Sequence, residues 1–189
     1  MRLRKQFGTV VLAVATLALA SLLAGSASAQ VRNSGASPIA LNAVLSQSLS
    51  VNLSGNAVNF NLVAGSANNP GSTSITATTS WTLNQLVAVV SVYAFFSNSA
   101  AALTDGAGDN IPSADFQISD NGGAFTALTS TTPFGGANAG MTLGQTLILL
   151  FNEKGSRTDV MKFNINLSPL PNLPSGDYTG TLTIQAQAI

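Results

Sequence analysis

The stretch Met161-Lys-Phe-Asn-Ile-Asn-Leu167 alternates apolar and polar side chains without a break. Because successive side chains of a β-strand point to opposite faces of a sheet, this period of two predicts a strand that is buried on one face. The same alternation recurs in residues 58–62, 75–83 and 178–188. Turn signals such as Asp120-Asn-Gly-Gly123 separate the alternating segments. The pattern predicts an all-β protein, an antiparallel β-sandwich of about ten strands.

Two strongly apolar segments depart from this alternation. Residues 87–96 and 147–151 carry apolar side chains at nearly every position. Such runs are typical of strands that are covered on both faces. One face would meet the core of the sandwich. The other face then requires a cover, which we expect to be a loop of the same chain, the N-terminal arm or another subunit.

The N-terminal residues predict export. Three basic residues stand within Met1–Lys5, an apolar run follows from Phe7 to about Gly25, and the run ends in Ala27-Ser-Ala29. This order is that of a secretory signal peptide, and it places the cleavage site between Ala29 and Gln30. The alternative is an uncleaved membrane anchor, because the apolar run is nearly long enough to span a bilayer. We predict a signal peptide over 1–29 and a secreted protein, located outside the cell, on its surface or in the periplasm.

The chain from Gln30 onward is expected to be one domain that does not span a membrane. It has four basic residues against seven acidic ones, a net charge of −3. A chain with this balance has no basic patch for phosphate backbones, so we expect no nucleic-acid partner. We assign residues 30–46 to an N-terminal arm or first strand, and residues 47–189 to the β-sandwich domain.

The arm has an alternation of its own. Apolar residues occupy the odd positions from Ile39, with Gln47 as the one exception before Leu53. This series is long for one strand, so Ser46-Gln-Ser48 is expected to bend the chain between two strands. As an alternative, the arm up to Leu45 leaves the domain and pairs with a neighbouring molecule.

His and Cys are both absent from the 189 residues. Without them the chain cannot form Ser-His-Asp or Cys-His catalytic groups, nor a zinc site built from these ligands. Only 7% of residues are charged but 46% are hydrophobic, so the chain can bury a core and lacks the composition of a disordered protein. We predict that the protein is not an enzyme and that it holds no cofactor.

Oxygen-bearing side chains are the remaining candidates for chemistry. Asp105, Asp109, Asp115 and Asp120 lie in one short stretch, so a carboxylate pair for glycoside hydrolysis is geometrically available. Residues 104–110 could offer oxygen ligands to Ca²⁺, although they lack the spacing and the terminal Glu of a helix–loop–helix site. Turn-forming loop residues explain both patterns better, so we predict no catalytic and no metal-binding residue.

Charged and aromatic side chains offer two further candidates. The cluster Glu153-Lys-Gly-Ser-Arg-Thr-Asp159 lies between two predicted strands and is typical of a solvated hairpin loop. Trp81, Tyr93 and Tyr178 could stack on sugars. Trp81, however, shares a predicted face with apolar neighbours in the segment 75–83, which favours a place in the core.

The segment Leu173-Pro-Ser-Gly-Asp-Tyr-Thr-Gly-Thr-Leu-Thr-Ile184 resembles the final strand of secreted bacterial β-sandwich subunits. The relatives in question are spore-coat-U-like proteins and alternate chaperone–usher pilins, and the shared motif is Gly-x-Tyr followed by a Leu-Thr-Ile strand. Ser80-Trp-Thr-Leu-Asn84 is similar to the Trp-x-Leu motif of a bacterial cell-wall-binding domain, whose second motif this chain lacks.

The likeness to pilins implies an immunoglobulin-like sandwich that assembles by donor-strand exchange. In that process the arm of one subunit fills a groove in the next, which is a form of β-strand addition. The resemblance assigns the donor side chains to Ile39, Leu41, Ala43 and Leu45, and it implies a periplasmic chaperone as a partner. Many such relatives carry a disulfide, whereas this chain has no Cys.

These observations predict a structural protein of the bacterial surface or extracellular matrix, with itself as partner in a homo-oligomer, pilus or fibre. Low charge favours this interpretation because it weakens repulsion between copies. The alternative is a secreted adhesin or carbohydrate-binding module that uses the long, Gly-rich loops 98–114 and 129–145 to hold a surface glycan.

Overall fold

The computed structural model describes residues 39–41, 43, 44, 46–84 and 87–189. The compact unit that carries the fold is Val44–Ile189. The predicted signal cleavage site at Ala29 and Gln30 and the predicted donor residue Leu45 lie outside the described residues. Within the described ranges, no helix has the length and apolar character needed to cross a membrane.

Eleven strands and one short 3₁₀ turn make up the described fold. In chain order they are β1 (Ser48–Leu53), β2 (Asn69–Pro70), β3 (Ile75–Thr82), β4 (Val87–Phe95), β5 (Leu103–Thr104), β6 (Asn110–Ile111), the 3₁₀ turn Ser113–Asp115, β7 (Phe116–Asp120), β8 (Thr126–Ala127), β9 (Gly140–Leu149), β10 (Lys154–Ile165) and β11 (Thr183–Ala188).

The strands form two main antiparallel sheets. The larger sheet has the order β1-β3-β10-β7-β8, with β2 beside β10. The second sheet has the order β11-β4-β9, and β5 and β6 form a separate hairpin. The predicted all-β sandwich is therefore confirmed. Every strand pairing is antiparallel, and the strands β3 and β10 carry the longest register in the larger sheet, from Thr82 with Lys154 to Ile75 with Met161.

The core lies between the two sheets and follows the alternation seen in the sequence. Met161, Phe163 and Ile165 on β10 are all buried and face Val92 and Ala94 of β4 within one apolar cluster. A smaller cluster is centred on Trp81, whose indole nitrogen donates a hydrogen bond of 3.0 Å to the Asn152 carbonyl. The expectation that Trp81 belongs to the core is confirmed.

A loop of the same chain covers part of the outer face of β4. Phe134 packs its ring against Tyr93 and Phe95, with centroid distances of 6.0 and 5.9 Å. Of the three covers expected for the doubly apolar segment, a loop is thus the one found at this end of the strand. At the other end Val87 remains 66% exposed.

The charged cluster at residues 153–159 differs from the predicted solvated loop. Strand β10 begins at Lys154, and Arg157 and Asp159 point into the space between the sheets, where Asp159 has no exposed surface. The guanidinium and the carboxylate form two hydrogen bonds, so the charges are paired. The prediction is wrong because a long register with β3 extends the strand through a polar sequence that resembles a turn.

Candidate functional site

A groove of about 1100 Å³ opens in the described fold. It lies between the segment that follows β1, residues 53–64, and the segment that leads into β11, residues 173–184. These two segments diverge at the end of the sandwich where β1 ends and β11 begins. The groove therefore exposes the core from the side where the edges of the two sheets meet.

The floor of the groove is aromatic and aliphatic. Phe116 is its centre, with ring centroids 5.1 Å from Phe96, 5.9 Å from Phe60 and 6.0 Å from Phe163. The walls carry partly buried apolar side chains that pack against this floor: Val58, Phe60, Leu62, Leu173, Tyr178, Leu182 and Ile184. A ligand in the groove would complete the burial of these half-covered walls.

The wall at β11 presents unpaired backbone groups to the groove. Val89 and Ile189 exchange two backbone hydrogen bonds, of 2.8 and 3.1 Å. In an antiparallel ladder, residue pairs that exchange hydrogen bonds alternate with pairs that do not. Because Ile189 bonds to β4, the other odd residues of β11 do so too, and Ile184 and the other even residues point their N–H and C=O groups away from β4. In the segment that leads into β11, Thr179 exchanges two backbone hydrogen bonds with Thr104. There too, an odd-numbered residue is the one that bonds to its neighbour.

The edge of β1 has a matching arrangement. Ser54 donates a backbone hydrogen bond of 2.9 Å to Thr76, so the even residues of β1 face β3. The backbone groups of the odd residues Leu49, Val51 and Leu53 consequently point away from the sheet. The groove is thus bordered by the edge of β11 on one side and by Leu53, at the end of β1, on the other. The outward backbone groups there have no backbone partner among the described residues.

The outer edge of β9, far from the groove, is capped near both of its ends. Gly140 at the start of β9 exchanges two bonds with Ser130. Near its end, the Asn152 side chain accepts from the Leu149 amide and donates to the Leu147 carbonyl, as a neighbouring strand would. The edge strand β8 has only two residues. Since long unprotected edges invite pairing with other chains, the uncapped edge of β11 at the groove is open to strand addition.

The rim of the groove carries little charge. Asp177 is the one charged residue among those lining it in the described chain. The Tyr178 hydroxyl donates a hydrogen bond of 3.0 Å to the Pro174 carbonyl, which fixes the ring at the rim. Loss of hydration raises the pKa of Tyr178, and the Asp109 and Asp105 carboxylates add to the effect. The groove is therefore suited to an uncharged occupant that has apolar side chains for the floor and polar groups for the rim.

Three of the predicted donor residues, Ile39, Leu41 and Ala43, have no strand assignment. Ile39 and Leu41 are 83% and 89% exposed, and Ala43 is exposed too. The alternating segment 58–62, predicted to be a strand, makes a single bridge between Phe60 and Gly71. The other edge of this segment faces the groove. The segment therefore alternates like a strand but has a neighbouring segment on one edge only among the described residues.

The acidic stretch that could have held a metal ion is organised as a turn. The Asp105 carboxylate accepts hydrogen bonds from the backbone N–H groups of Ala107, Gly108 and Asp109, at 2.8 to 3.1 Å. The bond from Ala107 is the main reason that the pKa of Asp105 is lowered. In the described part of the chain, no group of three or more acidic side chains is placed to bind a metal.

Two carboxylates lie close together where β7 ends beside β10. Asp120 lies near Asp159, and desolvation, followed by that neighbouring charge, raises its pKa. Asp159 has no exposed surface, and Arg157 neutralises it, whereas Asp120 is half-buried. Asp115, which the sequence places with Asp105, Asp109 and Asp120, is instead buried within the 3₁₀ turn. Only Asp120 of the close pair is partly open to solvent.

The loops expected to bind a glycan are partly regular structure. Residues 98–114 contain β5 and β6, and residues 140–145 belong to β9. Of the aromatic side chains considered for sugar stacking, Trp81 and Tyr93 are buried. No pattern in the sequence points to the groove itself, because unpaired edges depend on which strands meet in space.

The fold and the groove define an all-β sandwich with an open seam along one side. Comparison of the chain with protein-family models, with curated proteins and with solved structures finds no match.

Proposed function

We propose that the protein is a non-enzymatic structural subunit that assembles by accepting a β-strand in its groove. The observation that carries this proposal is the unprotected backbone of β11 and of the end of β1 along a groove of about 1100 Å³ that has an apolar floor. An inserted strand would supply backbone partners to both edges and apolar side chains to the floor. In β-strand addition, backbone hydrogen bonds provide the affinity and pockets for alternate side chains provide the specificity.

The shape and the strand edges of the groove favour a polypeptide over a small molecule. Small-molecule pockets enclose roughly 300–1,000 Å³ and hold a few well-placed polar groups. This groove has a similar volume, but it runs along a segment of the chain from Leu53 to Leu62 and is bordered by unpaired backbone groups of β11. Glycan recognition by the loops stays a prediction from the sequence, since no described feature favours it.

We propose the arm of a second copy as the inserted strand. Ile39, Leu41 and Ala43 stand at alternate positions and would place apolar side chains on one face. These residues are exposed and carry no strand assignment in the single chain. Export by the predicted signal peptide would deliver such subunits to the cell surface or the extracellular matrix, where a fibre forms. A periplasmic chaperone that protects the groove before assembly fits the same proposal.

A charge on the inward face of the arm is expected to stop assembly. Leu41→Asp would place a carboxylate on the aromatic floor of the groove, where an unpaired charge is strongly disfavoured. Val44→Asp adds the same charge to the same arm at a position of opposite parity, where Val44 is 91% exposed. We expect light scattering to show oligomers for the parent chain and for Val44→Asp, and a folded monomer for Leu41→Asp.

Two other results would count against the proposal. A parent chain that stays monomeric at all concentrations would leave the groove without this function. Equal assembly of the Leu41→Asp and Val44→Asp chains would exclude the odd positions of the arm as the inserted face. Circular dichroism of each variant checks that the sandwich itself is unchanged.

A further inference from the structure

An exposed apolar patch lies at the end of the sandwich opposite the groove. It consists of side chains that are each more than half exposed, and we name it the end patch: Val87, Leu147, Leu150, Phe151 and Ile189. Val87 pairs with Leu149, and Val89 pairs with Leu147 and exchanges hydrogen bonds with Ile189. The residues therefore share one face of neighbouring strands, and Leu150 and Phe151 extend it around the turn after β9.

The surroundings of the end patch are uncharged on the sheet face. Next to it Ser91 pairs with both Gln145 and Gln187, and the Gln145 amide donates to the Ser91 hydroxyl at 3.1 Å. Phe151 is 84% exposed and Leu150 67%. Contiguous apolar surface of this kind is uncommon on monomers and marks contact sites.

The arm joins the sandwich at the same end. Strand β1 begins at Ser48, which pairs with Thr82, and Thr82 pairs with Lys154 at the start of β10. Leu49 and Ala188 pack on one small cluster, so β1 begins close to Ile189 and the end patch. The groove opens at the opposite end. If the arm of one copy entered the groove of another copy, the end of the first copy that carries the end patch would face the groove end of the second copy.

The length of the arm makes that contact close. Leu45 is the last of the predicted donor residues, and β1 begins three residues later. Consecutive Cα atoms are 3.8 Å apart, so this connection spans at most about 11 Å. The start of β1 in the donating copy, with the end patch on the same end, is thereby brought toward the groove end of the accepting copy, where Val63 is 62% exposed between two groove-lining residues.

We infer that the end patch is a second contact between copies, formed head to tail with the groove end of the next chain. The inference rests on the proposed function, because the arm brings the two ends together. The contact buries apolar side chains that strand addition alone leaves in water. Since unlike surfaces meet, each copy can bind one neighbour on either side, and the copies form an open filament where the rotation between them does not close a ring.

The absence of Cys allows a direct test by crosslinking. Phe151→Cys and Val63→Cys chains are mixed, assembled and treated with a short bismaleimide. We expect mixed crosslinked dimers as the main product. Phe125→Cys is the control, since Phe125 is 46% exposed and lies in the connection between β7 and β8. As a second readout, Leu150→Ser/Phe151→Ser should raise the concentration at which assembly begins about tenfold, equivalent to about 1.4 kcal/mol.

The outcomes separate this inference from the proposed function. If the Leu41→Asp test shows arm-dependent assembly but Phe151→Cys links to Phe125→Cys, or to itself, as readily as to Val63→Cys, the head-to-tail contact is wrong and strand addition stands. The head-to-tail contact is also wrong if the double Ser variant assembles like its parent. If no assembly depends on the arm, both proposals fail together.

Discussion

Asp159→Asn is expected to lower the free energy of unfolding by about 3–5 kcal/mol, the range found when one partner of a buried ion pair is removed. Asp159 has no exposed surface and accepts two hydrogen bonds from Arg157. The Arg157 guanidinium lies against Gly144 of β9. Its side chain is 19% exposed, so the substitution leaves a largely buried cation whose remaining neighbours are the Thr146 hydroxyl and Asp120. Urea unfolding measures the loss.

Asp177→Asn is the matched control for this substitution. Asp177 is exposed at the rim of the groove, and surface changes of this kind are usually within about 0.5 kcal/mol. An Asp159→Asn chain as stable as the Asp177→Asn chain would show that the ion pair within β10 contributes nothing to the free energy of unfolding. Replacing both members by apolar residues, as Arg157→Met/Asp159→Leu, should recover part of the loss because no charge is left unpaired.

Phe116→Ala is expected to cost about 3–5 kcal/mol and to damage the groove as well. Phe116 is buried and contacts the rings of Phe60, Phe96 and Phe163. Truncation removes the edge-to-face contacts and leaves a cavity beneath the wall that Phe60 supports. Urea unfolding should give a lower midpoint, and assembly should weaken in parallel because the floor no longer supports an inserted strand.

The control for the aromatic floor is Phe125→Ala. Phe125 is 46% exposed and lies away from the residues that line the groove, so its truncation should change stability and assembly little. A Phe116→Ala chain that loses less than about 1 kcal/mol would show that the floor relaxes around the cavity. Normal assembly of that chain would mean that the aromatic cluster does not support the accepted strand.

The alternation of side chains was sufficient to predict the sandwich and much of its core. Met161, Phe163 and Ile165 are buried as the period of two required, and Trp81 lies in the core with its neighbours. Such local patterns report which face of a strand meets the core, because they depend on the pleat alone. They do not report which edges remain unpaired.

The groove escaped prediction for that reason. Residues 58–62 alternate like a strand, yet Phe60 makes one bridge only, since the side that faces the groove has no partner in the described chain. Arg157 and Asp159 were misplaced because a polar run between apolar segments resembles a turn until its long pairing with β3 is known. Both errors arose because the pairing of a strand depends on segments that are distant from it in the sequence.

Hydrogen exchange at the edge of β11 tests strand addition most directly. Ile184 turns its amide toward the groove, whereas the amides of Thr183 and Gln185 bond to β4. In the assembled protein we expect the Leu182 and Ile184 amides to be protected. In the monomeric Leu41→Asp chain they should exchange rapidly, while Thr183 and Gln185 stay protected in both. Rapid exchange at Ile184 in the assembled protein, or equal protection in the monomer, would contradict the insertion of a strand at this edge.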